Sequence, residues 1–195
     1  MEQKDTMQKI EFSPLFFDTL FGLVIFFSLD SFFDIKDISH FIFYLFSTII
    51  VVHWWLMFKS SDDSFGEEVT DSAADLVFGI IYVILLEYVV LFAKDFNYQM
   101  STYYLFALLV LDLIWVTAWK YIGDWHTRDK KKISSMQKEL DSNIRVTLFS
   151  IVLFIIFIIF GLNKAPVISV TWFILSYLTF IFLTFKYKII NIRIF

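Results

Sequence analysis

Six long apolar runs are the feature that most constrains how this chain can fold. They cover residues 14–33, 38–58, 73–93, 102–122, 145–162 and 166–187. Each is about 18 residues or longer, the length that a helix needs to cross a bilayer. A chain of 195 residues that is 58% hydrophobic has too little interior to bury that much apolar surface away from water. The sequence therefore predicts an all-α, polytopic membrane protein with six transmembrane helices in a single domain, 1–195.

The basic residues predict how these helices are oriented. Thirteen of the 16 Lys and Arg lie in the N-terminal tail, the second and fourth connections and the C-terminal tail, whereas only Lys36, Lys94 and Lys164 lie in the other connections. Basic loops stay in the cytoplasm. We therefore expect both termini to be cytoplasmic. The tail before the first run lacks signal-peptide features, so the first helix should be retained. The Phe- and Ile-rich composition is typical of an AT-rich genome, bacterial or organellar. We expect a bacterial inner membrane, with an organellar membrane as the alternative.

The only sizeable polar stretch follows the fourth run, at residues 123–143. Within it, Ile133, Met136 and Leu140 have helical spacing. This spacing predicts a short cytoplasmic helix near the lipid headgroups, with basic residues attracted to anionic lipids. The other interpretation is a solvated loop that fixes the topology.

Two of the runs open on the same motif, an Asp followed by two residues and then Phe-Gly. In each case another acid follows the Gly after seven intervening residues. The next run in both cases contains Tyr-Leu-Phe and a Trp eleven residues after that Tyr. Two matched helices in the same order predict an internal repeat, with units at 14–58 and 73–122 and a third helix pair, without the acids, at 145–187. The motif residues are Asp18, Phe21 and Gly22 in the first unit and Asp75, Phe78 and Gly79 in the second.

No motif for catalysis or cofactor binding is present. The sequence has no phosphate-binding loop, nucleophile elbow or His-Glu-x-x-His motif. It has no cysteine, and its three His residues lack metal-ligand spacing. Nucleic-acid binding has no support beyond one small basic loop. We expect no enzymatic activity, no cofactor and no metal site.

Acidic residues inside the apolar runs are the candidates for function. Glu87 and Asp112 are the deepest, and no Lys or Arg lies deep inside any run to pair with them. An ionised carboxylate in hydrocarbon is costly. Two explanations are open: the carboxyls are protonated and hydrogen-bonded to hydroxyl or indole groups, or they contact water and a cation.

Three further polar residues lie nearer the cytoplasmic ends. Asp18 and Asp75 fall about one turn inside the first and third helices, where the helix dipole stabilises a negative charge. His53 lies at a similar depth in the second helix. We expect Asp18 and Asp75 to face one another, or His53, at the inner mouth of the bundle. A neutral His53 bonded to a backbone or hydroxyl group is the other interpretation.

The segments "LFFDTLFGLVIF" from Leu15 and "VVHWWLMF" from Val51 resemble the first two helices of the low-temperature-requirement A (LtrA-like) membrane proteins. The pattern is Leu-Phe-Phe-Asp, here ending at Asp18, followed by the pair Trp54 and Trp55 in the second helix. The resemblance covers about 45 residues. Because the activity of that family is not established, it implies a membrane fold and no particular substrate.

A second resemblance is to bacterial relatives of the lysosomal potassium channel. Those proteins have six helices, a Phe-Ser-Asp motif in the first helix and a Trp and a His in the second. Here Phe17 and Asp18 are adjacent without the Ser, and His53 precedes the Trp pair. This resemblance implies four subunits around a pore lined by the first helix, whose narrow part would be formed by Leu23, Phe26 or Phe27.

The leading functional hypothesis is a small cation or proton channel or transporter, with Glu87 and Asp112 as its deep polar stations. Its partners would be the lipid bilayer, the transported ion and other membrane subunits, identical or different. The second hypothesis is a non-catalytic accessory or structural subunit of a larger membrane complex. The high Phe content, with only five Gly and two Pro, favours this second hypothesis, because transporters often break their helices at the binding site.

Overall fold

The computed structural model describes residues 14–30, 35, 37–65, 73–122 and 130–187. These residues form six α-helices, so the predicted all-helical architecture is confirmed. Each helix overlaps one predicted apolar run. The helices are α1 (Pro14–Asp30), α2 (Ile38–Phe65), α3 (Ala73–Lys94), α4 (Tyr98–Ile122), α5 (Lys130–Phe160) and α6 (Pro166–Lys186).

Five of these helices, α2 to α6, are long and apolar enough to cross a membrane. The described apolar part of α1 is shorter and covers Phe16–Leu29. The first predicted span extends to residue 33, and residues 31–34 lie outside the described part of the chain. The helices are therefore those of a multi-pass membrane protein, and the crossing by α1 stays a prediction.

Local sequence signals mark where several helices begin. The carboxylate of Asp37 accepts a hydrogen bond from the backbone N–H of His40 at 2.8 Å, which caps α2. Asn97 accepts in the same way from the N–H of Met100 and caps α4. Pro166 lies in the first turn of α6, where its missing N–H costs nothing. Short polar connections thus end one apolar helix and start the next.

The arrangement of the helices is a ring with one helix outside it. Around the ring, each of α2 to α6 packs against the next and α6 returns to α2, while α4 also contacts α6 across the interior. The remaining helix, α1, packs against α2 and α3. The interior is therefore enclosed by the five helices that are long enough to cross a membrane.

Aromatic side chains fill much of this interior. Phe43 and Phe173 meet edge to face with ring centroids 5.0 Å apart, and Phe46 meets Tyr177 in the same way at 6.1 Å. Such edge contacts add to the stabilisation that burial provides. Because Gly and Ala are scarce, the helices interlock through large rings rather than through close backbone contact.

The polar stretch after the fourth run does not form a separate helix. Residues from Lys130 onward are the first turns of α5, which continues without a break for 31 residues. Met136 and Leu140 are buried against Val116 of α4, and Lys120 forms a salt bridge with Asp141. The helical spacing was predicted, but its apolar side packs on α4 and not along the headgroups. The third helix pair therefore starts before the predicted residue 145.

The two glycines of the repeat motif have different surroundings. A Cβ atom on Gly79 would lie 2.3 Å from the Phe17 ring of α1, whereas a Cβ on Gly22 would meet nothing within 4 Å. The motif phenylalanines differ as well: Phe21 is buried, while Phe78 is half-buried against Trp115. Only the second glycine is needed for helix contact. The repeat remains a prediction from the sequence.

Replacing Gly79 by Ala should destabilise the protein by about 1–3 kcal/mol, the usual cost of overpacking. The Phe17 ring has little room to move, because it also packs against Phe58 with ring centroids 4.7 Å apart. The matched control is Gly22→Ala, which adds the same methyl group in open space. Thermal unfolding in detergent measures the difference. Equal midpoints for the two variants would show that the α1–α3 contact does not require Gly79.

Candidate functional site

Polar side chains from all five helices of the ring lie inside it, in one half of the bundle. His53 lies seven residues before Ser60 at the end of its span, Asp112 nine before Tyr121, and Tyr82 six after Leu76. At ~1.5 Å per residue they lie roughly 9–14 Å from the face that the basic residues predict to be cytoplasmic. We call the whole set the polar chain: His53 (α2), Tyr82 (α3), Asp112 (α4), Thr147 (α5), and Tyr177 and Thr184 (α6).

Asp112 is the centre of the first cluster of this chain. It is only 5% exposed, because it lies on the same side of α4 as the buried Leu108, Leu109 and Val116. Its carboxyl accepts hydrogen bonds from the hydroxyl of Tyr82 at 3.2 Å and from that of Thr147 at 2.7 Å. None of the described Lys or Arg side chains pairs with it. Two neutral donors from neighbouring helices therefore hold a buried carboxyl group.

His53 is the centre of the second cluster. Its Nδ1 lies 2.8 Å from the hydroxyl of Tyr177, and its Nε2 lies 3.0 Å from the hydroxyl of Thr184. The Thr184 hydroxyl also donates to the carbonyl of Ile181 at 2.7 Å. Because a carbonyl only accepts, Thr184 must accept from His53. Nε2 of a neutral His53 therefore carries the proton, and Tyr177 donates to Nδ1.

Trp54 lies between the two clusters. Its ring centroid is 5.5 Å from that of Tyr82 in the first cluster and 5.9 Å from that of Phe180, which in turn packs against His53 and Tyr177. The indole N–H of Trp54 is buried and has no hydrogen-bond partner among the described residues. Both clusters thus meet at one aromatic side chain.

The other predicted site residues lie elsewhere. Asp18 accepts a hydrogen bond from the indole of Trp55 at 2.7 Å and pairs with Lys59 at 3.2 Å. It therefore joins α1 to α2, and the structure does not bring it to His53 as expected. The side chain of Asp75 lies outside the described part of the chain, so the expected approach of Asp75 to Asp18 stays a prediction.

The two deepest acids, Glu87 and Asp112, have different environments. Asp112 is buried inside the ring, whereas Glu87 is exposed on the outer side of α3. Asp112 has hydroxyl groups as hydrogen-bond partners, which is the environment that the first of the two explanations expects. The exposed position of Glu87 indicates a different role, which is considered below.

The sequence reasoning missed four residues of the polar chain. These are the hydroxyl-bearing residues, which are too common in membrane helices to stand out singly. One signal was present in α6: Tyr177 and Thr184 are seven residues apart, and that spacing places both on one side of a helix. The residues missed are Tyr82, Thr147, Tyr177 and Thr184.

Comparison with known proteins gives no match: no family model, no curated protein and no solved structure is significantly similar to the chain. Within the described residues, no group of three or more His, Asp and Glu side chains could hold a metal ion. The site is therefore interpreted from its own chemistry.

Replacing Tyr177 by Phe should cost about 1–3 kcal/mol of stability, because it leaves the buried Nδ1 of His53 without a donor. Tyr103→Phe is the matched control, since Tyr103 is 48% exposed on α4. Thermal unfolding in detergent compares the two variants. If both unfold at the wild-type temperature, the His53 cluster is not a stabilising network.

Proposed function

We propose that the chain is a small membrane transport protein, a channel or transporter, and that it moves protons through the polar chain. The observation that carries this proposal is Asp112, a buried carboxyl held by Tyr82 and Thr147 with no basic partner among the described residues. Acids buried in membrane helices mark ion or proton pathways more often than they stabilise a fold.

Every member of the polar chain has a group that can exchange a proton. The carboxyl of Asp112 can take up a proton and release it again. The hydroxyls of Tyr82 and Thr147 donate to the ionised carboxylate and can rotate to accept from the protonated carboxyl. In the second cluster, Tyr177 can take up a proton and pass its own hydroxyl proton to Nδ1 of His53, which then releases its Nε2 proton to Thr184. Thr184 releases its own hydroxyl proton to water at the cytoplasmic side once that hydroxyl turns away from the carbonyl of Ile181. The donors all point the same way, from Tyr177 towards the carbonyl of Ile181.

Trp54 interrupts this pathway between the two clusters. Its ring separates Tyr82 from the His53 cluster, so the described hydrogen bonds do not run continuously from Asp112 to Tyr177. A rotation of the Trp54 side chain, or a water molecule beside it, would connect the two clusters. This supports a gated pathway rather than an open pore.

The orientation predicted from the basic residues belongs to the same proposal. With both termini in the cytoplasm, Thr184 lies towards the cytoplasmic ends of α2 and α6, and the proton pathway reaches that side first. The proposal involves no chemical conversion of a substrate and no cofactor. The likeness of α1 and α2 to the LtrA-like proteins is part of this proposal and adds no substrate to it.

The second candidate function is an accessory subunit of a larger membrane assembly. The observation that favours it is Glu87, a carboxyl on the outer surface of α3 rather than inside the ring. A pathway inside one chain makes no use of such a residue. Both candidates require Glu87 to face something other than lipid.

The test is proton flux into liposomes that contain the purified protein and a pH-sensitive dye, driven by a potassium diffusion potential. We expect the wild type to exceed empty liposomes, and Asp112→Asn to lower the flux by about tenfold or more, since loss of a proton-transfer group commonly costs 10²–10⁴-fold. The control is Asp95→Asn, which makes the same change in the exposed turn between α3 and α4.

Two results would contradict the proposal. Wild-type flux no faster than that of empty liposomes, from protein with a normal unfolding transition, would favour the accessory subunit. Potassium flux that Asp112→Asn leaves unchanged would instead favour a pore between copies, lined by the exposed Leu23, Phe26 and Phe27 of α1.

A further inference from the structure

Glu87 is an acid on the outer surface of the bundle, close to the middle of its helix. The span in α3 runs from Leu76 to Lys94, and Glu87 lies 11 residues from the first and seven from the second. At ~1.5 Å per residue these separations are roughly 16 and 10 Å, so the side chain lies near the midplane of a hydrocarbon core ~30 Å thick. Its side chain is exposed on the single chain.

Among the residues that the structure describes, no side chain compensates Glu87. None of the described residues donates a hydrogen bond to it, and the described Lys and Arg side chains lie at the ends of the apolar stretches. Its neighbour Tyr88 points elsewhere, because side chains at successive helix positions diverge. A carboxyl facing lipid at this depth is costly in either protonation state. Something outside the single chain must therefore supply a donor.

The surface around Glu87 has the pattern of a helix-pairing seam. The exposed residues of α3 are spaced alternately by four and three positions, the heptad spacing of two helices that pack side by side. We call this surface the α3 seam, and Glu87 flanks it. Its members are Val77, Ile81, Ile84, Tyr88 and Leu91.

The comparable outer surface of α6 has no such acid. It is lined by large apolar side chains such as Trp172, Leu178 and Phe182, and its exposed Thr171 returns its hydroxyl to the backbone of Val167. That surface is satisfied by lipid alone. The uncompensated carboxyl is therefore what distinguishes the outer surface of α3 from that of α6.

We propose that the α3 seam pairs with the α3 seam of a second copy of this chain, with the Tyr88 hydroxyl of each copy donating to Glu87 of the other. A two-fold axis along the membrane normal makes the two helices parallel and keeps both copies in the same orientation. In such a pair, Tyr88 is a knob that inserts beside position 87 of the facing helix. One symmetric contact thus satisfies both carboxyls.

The Tyr88 ring is held in place for this contact. It stacks on Tyr104 with ring centroids 4.9 Å apart and planes 17° apart, and Tyr104 stacks on Phe92 at 5.4 Å. Little side-chain freedom is therefore lost when the hydroxyl binds a partner. A second copy is the occupant that the structure favours, because the same seam supplies the acceptor and, at the same depth, the donor. The pairing does not depend on whether the chain conducts protons.

Single-cysteine cross-linking tests the pairing directly, since the chain has no cysteine of its own. Ile84→Cys places a thiol at the centre of the α3 seam. The control is Leu178→Cys on α6. The two parent side chains, Ile84 and Leu178, are 45% and 44% exposed. Each lies eight residues from the end of its span that is predicted to be cytoplasmic. On oxidation in native membranes, we expect Ile84→Cys to form disulfide-linked dimers and Leu178→Cys to stay monomeric.

A second variant tests the proposed hydrogen bond from Tyr88 to Glu87 and changes no residue inside the five-helix bundle. Adding Tyr88→Phe to Ile84→Cys removes both hydrogen bonds of the symmetric pair and should weaken dimerisation between about tenfold and several hundredfold, since one such bond between membrane helices is worth about threefold to twentyfold. Adding Tyr103→Phe, an exposed tyrosine outside the seam, should leave cross-linking unchanged.

Three outcomes would overturn the proposal. Equal cross-linking of both cysteine variants would indicate random collision. Absence of cross-linking, together with labelling of Glu87 by a hydrophobic carbodiimide in liposomes, would show that this carboxyl faces lipid. Cross-linking of the Ile84→Cys thiol to a different protein would identify the seam as a contact with another subunit.

Discussion

The cost of a polar group in hydrocarbon is the constraint on which the rest of this structure depends. Each buried hydroxyl, carboxyl or imidazole must find a partner inside the bundle, because lipid offers none. Asp112 and His53 meet this requirement through side chains on other helices rather than on their own. Those contacts fix how α2 to α6 are rotated about their axes, which apolar packing alone specifies only loosely.

Aromatic packing also holds the helices of the bundle in place. Small residues would let the helices approach closely and pack uniformly, but this chain has few of them. Large rings meeting at steep angles, as at Phe43 and Phe173, fill the wider gaps between the helices. The space that they leave at the level of Asp112 and His53 is occupied by tyrosine and threonine. The composition that favours an accessory role is thus equally suited to enclosing a polar interior.

The general architecture could be read from the sequence because its cause is local. Runs of about 20 apolar residues form helices wherever they occur, and all six were located. The start of α5 was predicted wrongly, at residue 145 instead of Lys130. A polar stretch can form a separate segment outside the membrane or extend a membrane-spanning helix, and its sequence fits both. Packing of Met136 and Leu140 on α4 decides between these, and packing is not visible in one segment alone.

The candidate site was predictable only in part, and for a related reason. Asp112 and His53 stood out because charge and imidazole are rare in apolar helices. Their partners did not, since Tyr82 and Thr147 become significant only when three helices meet. The sequence identified Glu87 and Asp112 together as the deepest acids of the apolar runs. It could not show that one residue faces inward and the other outward, because helix rotation depends on neighbours.

The division of the His53 cluster between α2 and α6 has a consequence for how the protein is made. Membrane proteins are synthesised and inserted from the N-terminus, so α2 is in the bilayer while α6 is still on the ribosome. During that interval His53 lacks both of its eventual partners, Tyr177 and Thr184. The last helix therefore completes the interior of the second. A chain that stops before residue 177 would carry an uncompensated imidazole, a feature by which cellular quality control could recognise it as unfinished.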